Sequence, residues 1–265
     1  MPKYAALSAA LILAGCLHTQ PAVKETDMNV IYPDSKERAS EQNTYPIIIL
    51  SHGAGGLGKS YFTWASHFRD MGFATMVLDH HTSRGYYGKT YSAKRGQFVS
   101  RNPQTNEGHE LRLIDTPVAF SKIEKDPKID KKRIWLAGWS AGAGFVYEGI
   151  GREGVLGGIL FYPFSFACRV NIIDNKDKPI KVLFGEEDKG IEYCWGQYQN
   201  HKDYDWSIYE DAYHSFDSPG FGTKKITRSY VNFTNTMAYS PEATAKARVD
   251  ITTFLHNNTP LELSK

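Results

Sequence analysis

The residues best suited to chemistry centre on one serine between glycines. Gly138-Trp139-Ser140-Ala141-Gly142 fits G-x-S-x-G, a pattern that raises a serine on a sharp turn between a strand and a helix. The small residues two places before and after the serine let strand and helix approach closely. The flanks agree: Arg133–Gly138 (RIWLAG) reads as a strand, and Ser140–Gly151 reads as a helix. A serine hydroxyl attacks only when a base takes its proton, and the base needs a partner that fixes its tautomer. Gly185-Glu186-Glu187-Asp188 follows the strand pattern Ile180–Gly185. Asp188 is the expected acid, Glu187 the alternative, and Glu186 reads as a solvated turn residue. Tyr213-His214-Ser215-Phe216 follows the short strand Trp206–Tyr209, and His214 is the expected base. Serine, acid and histidine then occur in one of the chain orders known for such triads. The expected chemistry is acyl transfer through an acyl-enzyme.

Ser51-His52-Gly53-Ala54-Gly55-Gly56 closes the first strong strand. A loop at this place donates one backbone N–H to the developing oxyanion, and the residue after the nucleophile donates the other. Ala54 and Ala141 are the expected donors, with Gly55 as the alternative to Ala54. Such donors contribute roughly 3–4 kcal/mol each. A Gly-rich phosphate loop is the alternative reading, since Gly53–Ser60 (GAGGLGKS) carries the letters of both G-x-x-x-x-G-K-[ST] and G-x-G-x-x-G; the serine, acid and histidine pattern makes the oxyanion role the expected one. His52 reads as a structural residue of the loop. His80-His81 shows no metal-ligand spacing and reads as loop near the cleft. No metal and no cofactor are expected.

The elements that must position these residues alternate from residue 45 onward. Strand candidates are Tyr45–Ser51, Ala74–Asp79, Arg133–Gly138, Gly158–Tyr162, Ile180–Gly185 and Trp206–Tyr209. Most are continuous apolar runs, as in strands buried on both faces of a parallel sheet. Helix candidates are Ser60–Met71 with Ser60 as N-cap, Glu110–Lys125 with Pro117 kinking it or starting a new turn, Ser140–Gly151, and Pro241–Leu255. Alternation of this kind predicts an α/β domain with a mostly parallel central sheet and helices on both faces. Residues 81–109 form a long polar stretch, and a loop of that length is often functional.

Length and composition bound the rest. The 265 residues suit one domain, and 41% hydrophobic with 23% charged residues is ordinary for a globular chain. A formal net charge of +2 gives no field that calls for nucleic acid. At the N-terminus, Lys3 precedes an apolar run from Ala5 to Ala14, too short to span a bilayer and laid out as a secretory signal. It ends in Leu13-Ala14-Gly15-Cys16, which looks like a bacterial lipobox. The expected organisation is a lipoprotein signal peptide over 1–15, lipidation at Cys16, a polar tether over 16–44 and the domain over 45–265. The expected location is the bacterial cell envelope; Leu17 after Cys16 favours the outer membrane if the cell is Gram-negative. With Cys16 lipidated, Cys168 and Cys194 remain as a pair for a disulfide in an oxidising compartment, two buried free thiols being the alternative.

With these pieces placed, the chain resembles the dienelactone hydrolase family of the α/β hydrolases over roughly residues 45–256. The resemblance rests on SHGAGG, VLDHHTSRG, the helix carrying Arg112 and Asp115, KIDKKRIWLAGWSAGAG, VLFGEED and AYHSFD. It implies the α/β-hydrolase fold and ester or lactone hydrolysis, with Asp188 and His214 in the acid and base positions. It also implies that Asp79 and Arg84 shape the substrate loop, a structural role being the alternative. Dienelactone hydrolase proper has a cysteine nucleophile where this chain has Ser140, which favours a broader carboxylesterase acting on small or medium esters. A peptidase or acyltransferase on the same fold is the alternative enzyme, and a non-catalytic envelope binding protein is the alternative outside catalysis.

Overall fold

The computed structural model describes residues 22, 24–34, 39–40, 43–86, 90–92, 97–99, 105–163, 178–192, 194, 204–230 and 233–260. Cys16 and Cys168 lie outside them, as does the whole expected signal segment 1–15.

Seven strands form the central sheet: β1 (Val30–Ile31), β2 (Tyr45–Ser51), β3 (Ala74–Leu78), β6 (Ile129–Trp139), β7 (Val155–Phe161), β8 (Ile180–Gly185) and β9 (Tyr204–Tyr209). Their order is β1-β3-β2-β6-β7-β8-β9. Every pairing is parallel except β1 on β3. The apolar runs become the interior: Ile47, Ile48, Ile49 and Leu50 are all fully buried, so both faces of β2 are covered.

The helices α1 (Lys59–Asp70), α2 (Thr105–Glu124), α3 (Ala143–Ile150) and α4 (Pro241–Asn258) supply that cover. Successive strand side chains point to opposite faces, so β6 shows which helix lies where. Leu136 meets α3 at Gly149, whose added Cβ would lie 2.6 Å from the leucine methyl. Trp135 packs edge-on against Phe254 of α4, with ring centroids 5.5 Å apart. Thus α3 and α4 cover opposite faces. Phe120 of α2 lies beside Gly149 on the α3 face. Trp64 of α1 packs on Phe161 and under Arg248 of α4 on the other. The expected α/β-hydrolase architecture, a mostly parallel sheet between two helical layers, is present.

Several boundaries differ from expectation. The folded unit begins before residue 45. Met28 is buried, β1 pairs with the outer edge of β3, and the Tyr32 hydroxyl donates to Asp126 at 2.5 Å. Glu25 accepts from Ser121 and Lys125, both at 2.7 Å. The polar composition of 24–34 concealed an edge strand only two residues long. Helix α1 starts at Lys59 with Gly58 extended at its cap, and Ser60 is buried within it instead of capping it. Helix α2 begins five residues early, and Pro117 sits inside it on the exposed side, where the carbonyl it leaves without an N–H donor can meet water. Within the 81–109 stretch lie a 3-10 turn at Thr82–Arg84 and a small hairpin, β4 (Thr90–Ser92) with β5 (Gln97–Val99). A second hairpin, β10 (Ile226–Tyr230) with β11 (Phe233–Met237), stands between His214 and α4. No described helix is long and apolar enough to cross a membrane.

Candidate active site

Ser140 leaves the C-terminus of β6 at φ 51°, a left-handed conformation that only a forced turn imposes on a residue with a Cβ. The turn is forced by contact on both sides. A Cβ on Gly138 would lie 2.4 Å from the Gly142 carbonyl oxygen, and one on Gly142 would lie 2.2 Å from the Ser51 carbonyl oxygen. The chain then enters a 3-10 turn, Ser140–Gly142, and α3.

His214 Nε2 lies 3.0 Å from Ser140 Oγ, and His214 Nδ1 lies 2.7 Å from Asp188 Oδ2. The carboxylate requires Nδ1 to carry the proton, which leaves Nε2 to accept from the serine hydroxyl. Asp188 is buried and His214 is 8% exposed. The other Asp188 oxygen, Oδ1, accepts from the Gly190 N–H at 2.8 Å and from Asn235 Nδ2 at 2.9 Å. Glu186 and Glu187 are exposed; of the three neighbouring acids, Asp188 is the one the structure turns to His214.

Ala54 lies exposed in the turn closed by Gly56 N–H on the Gly53 carbonyl, 3.2 Å. Ala141 follows Ser140 at the start of the 3-10 turn. Gly53 sits directly against Ser140: an added Cβ would lie 3.4 Å from Ser140 Cβ. Its own N–H is taken by the Tyr61 hydroxyl at 3.1 Å. Burial pushes the Tyr61 phenol up to about 12, so it stays protonated.

Two buried networks, unread in the sequence, support this arrangement. Asp217, three residues after His214, accepts from Trp64 Nε1 at 2.7 Å, Trp139 Nε1 at 2.8 Å and the Tyr162 hydroxyl at 2.5 Å. Burial raises this carboxyl, against the three donors that lower it. Trp139 immediately precedes Ser140, and the Tyr162 ring lies 4.6 Å from the His214 ring. The second network runs from Ser51 Oγ to His80 Nε2 at 2.9 Å, then from His80 Nδ1 to Asp115 Oδ2 at 2.7 Å. Arg84 clamps Asp115 with bonds of 2.6 and 3.0 Å and also donates to the His80 carbonyl.

Arg84 takes the structural role that was the alternative for it. Its guanidinium is turned inward, with a side chain 2% exposed, and ties the Thr82–Arg84 turn to α2. Asp79 caps that turn, accepting the N–H groups of His81 and Thr82. His80 and His81, read as cleft loop, are buried. His52 is structural as expected: Nδ1 donates to the Gly53 carbonyl at 2.7 Å and Nε2 accepts the His80 N–H at 3.1 Å. Burial holds His52 neutral, well below the usual histidine range. Arg112 secures the same loop from beneath, donating to the carbonyls of His52 and Gly108. No group of three or more metal-ligating side chains occurs among the described residues. Cys194 is buried, with its sulfur 3.2 Å from the Pro163 carbonyl oxygen; its expected partner Cys168 lies outside the described residues.

The fold and site define a chain of the α/β-hydrolase class. The dienelactone hydrolase family model matches residues 36–259, and the chain belongs to that family. No curated protein matches it in sequence. Among solved structures it is similar to a dienelactone hydrolase-like promiscuous phosphotriesterase from metagenomic libraries, at TM-score 0.61 and 16% identity, over 88% of this chain and 99% of that one. It is also similar to a dienelactone hydrolase from Anabaena variabilis, at TM-score 0.58 and 13% identity over 88% and 92%. A third is a thermophilic esterase from Thermogutta terrifontis, solved with propionate bound, at TM-score 0.55 and 14% identity over 87% and 88%. At these identities the likeness speaks for the fold.

Proposed function

We propose that the chain is a serine hydrolase that cleaves carboxylic esters or lactones through an acyl-enzyme. The observation that carries this reading is the continuous series Asp188–His214–Ser140, bonded at 2.7 and 3.0 Å at the C-terminal edge of a parallel sheet. Ser140 Oγ attacks the ester carbonyl carbon while His214 Nε2 takes its proton. Asp188 holds the Nδ1 proton in place and stabilises the imidazolium. The oxyanion forms between the backbone N–H groups of Ala54 and Ala141. His214 then returns the proton to the departing alkoxide, which leaves as an alcohol. Water, deprotonated by His214, attacks the acyl-enzyme and releases a carboxylic acid. The similar structure from Thermogutta terrifontis is that of an esterase, which supports an ester as the acyl donor. A fluorophosphonate probe is expected to label the wild type and not Ser140→Ala. p-Nitrophenyl esters of increasing acyl length then rank the acyl preference; labelling of both proteins refutes the reading.

The same reading places the enzyme in the bacterial cell envelope, with residues 1–15 removed, lipid on Cys16 and a disulfide between Cys168 and Cys194. Cys16→Ser is expected to move the protein from the membrane to the soluble fraction. A mass change of two hydrogens on reduction reports the disulfide.

A further inference from the structure

The acid and the base of this site are both held from outside the sheet, by three consecutive residues of one hairpin strand. Asn235, Thr236 and Met237 lie on β11. The Thr236 carbonyl accepts the His214 N–H at 3.1 Å, and His214 forms a bridge with Met237. Asn235 is 2% exposed and faces the acid. Its Oδ1 accepts the N–H groups of Thr236 at 2.9 Å and Lys189 at 3.4 Å. Those two donors fix which way the amide points, since oxygen must face them. The amide nitrogen is thereby aimed at Asp188 Oδ1, 2.9 Å away. The carboxylate has only two oxygens. With Oδ1 committed to Asn235 and Gly190, Oδ2 alone is presented to His214.

We propose that Asn235 is a positioning residue for the acyl transfer, acting solely through Asp188 to set the plane of its carboxylate against the His214 ring. The inference rests on the triad reading given above. Asn235 touches neither serine nor substrate, so its loss lowers kcat and leaves KM for a p-nitrophenyl ester nearly unchanged. Residues that orient a reacting histidine's partner at metal sites are worth about 10–100-fold, and Asn235→Ala is expected to fall in that range. Asn235→Asp keeps the shape but replaces the donor with a second carboxylate beside Asp188. A packing role predicts that this isosteric change is mild, whereas a positioning role predicts that it is at least as damaging as alanine.

The decisive measurement is a double-mutant cycle with Asp188→Ala. If Asn235 works through Asp188, adding Asn235→Ala to Asp188→Ala costs less than twofold further in kcat. The low-field proton signal of His214 Nδ1–H shifts or broadens in Asn235→Ala while the melting temperature stays near wild type. If the alanine variant does not fold, Asn235→Ser, which keeps a short donor, enters the same cycle and is expected to retain more activity than Asn235→Asp. Full additivity in the cycle, or a kcat within twofold of wild type for Asn235→Asp, overturns the proposal. A wild-type kcat for Asp188→Ala would instead overturn the triad itself, so the two failures are distinguishable.

Discussion

The described residues contain two serine–histidine–aspartate series of nearly equal geometry and different surroundings. In one, Ser140, His214 and Asp188 are spaced 3.0 and 2.7 Å apart; in the other, Ser51, His80 and Asp115 are spaced 2.9 and 2.7 Å apart. Distances alone do not separate them. Ser140 sits at positive φ on a turn and is partly exposed. Ser51 ends a strand and is fully buried. The free oxygen of Asp188 is held by neutral donors, Asn235 and Gly190, whereas Asp115 is neutralised by a buried arginine. A carboxylate compensated by Arg84 has little charge left to stabilise an imidazolium. Burial adds to this, pulling His80 down to about 4. Under the proposed function one series passes a proton, while the other fastens β2, the turn after β3 and α2 together.

The widest separation is expected from the two serines in turnover. Ser140→Ala should lose about 10⁶-fold in kcat, the scale found when the nucleophile of such a triad is removed, with a melting temperature close to wild type. Ser51→Ala should keep its fluorophosphonate labelling. Equal loss in both would erase the distinction drawn between them.

Arg84→Met comes next, and it acts on stability. Leaving Asp115 buried and uncompensated is expected to cost about 3–5 kcal/mol, read as a lower urea midpoint, with residual folded enzyme still active. A wild-type midpoint would show that the pair is dispensable.

Acid should also act through the buried series. Free histidine titrates near 6.5, and burial lowers His80 to about 4 when folded. Above pH about 6.5 neither state is protonated, so the difference is silent. As pH falls from about 6.5 to 4, the unfolded chain binds a proton that the folded chain refuses, and stability falls by about 3 kcal/mol, levelling off below that. His81, lowered by burial to about 3, acts in the same direction. Urea titrations at pH 7 and pH 4.5 measure the slope, and His80→Gln should flatten it.

The smallest effect belongs to Ser51→Ala measured in the melt. It strips one donor from the buried His80 Nε2, a change worth about 1–2 kcal/mol, or roughly 2–8 °C.

How much of this was legible in the sequence follows from how local each signal is. The turn carrying Ser140 was readable because its steric demands fall within five consecutive residues. Asp188 and His214 were readable because each follows a strand run that ends at the same sheet edge. The buried series was not. Its partners lie 29 and 35 residues apart along the chain, and Asp115 belongs to a helix face with no chemical pattern of its own. His80 and His81 therefore passed for loop. Arg84 was linked to the substrate loop through the family resemblance, which carries no sign of its buried partner, Asp115. Asn235 had no signal except the alternation in Ile226–Tyr230 and Phe233–Met237, which a hairpin would explain. Asp217 follows His214 by three residues, and a carboxylate that near a reacting histidine was the one clue left unused.

Gly142 joins the two series mechanically. Its backbone is pressed against the carbonyls of Ser51 and His52, where a single methyl would have no room. The Ser140 hydroxyl is thus registered to the end of β2 and not to the surface loops around it. Gradual loosening of that strand end, by heat, acid or substitution, would tilt Ser140 away from its imidazole while most of the sheet is still intact. Such a protein would fall silent before it melts, and its inactivation curve would run ahead of its unfolding curve.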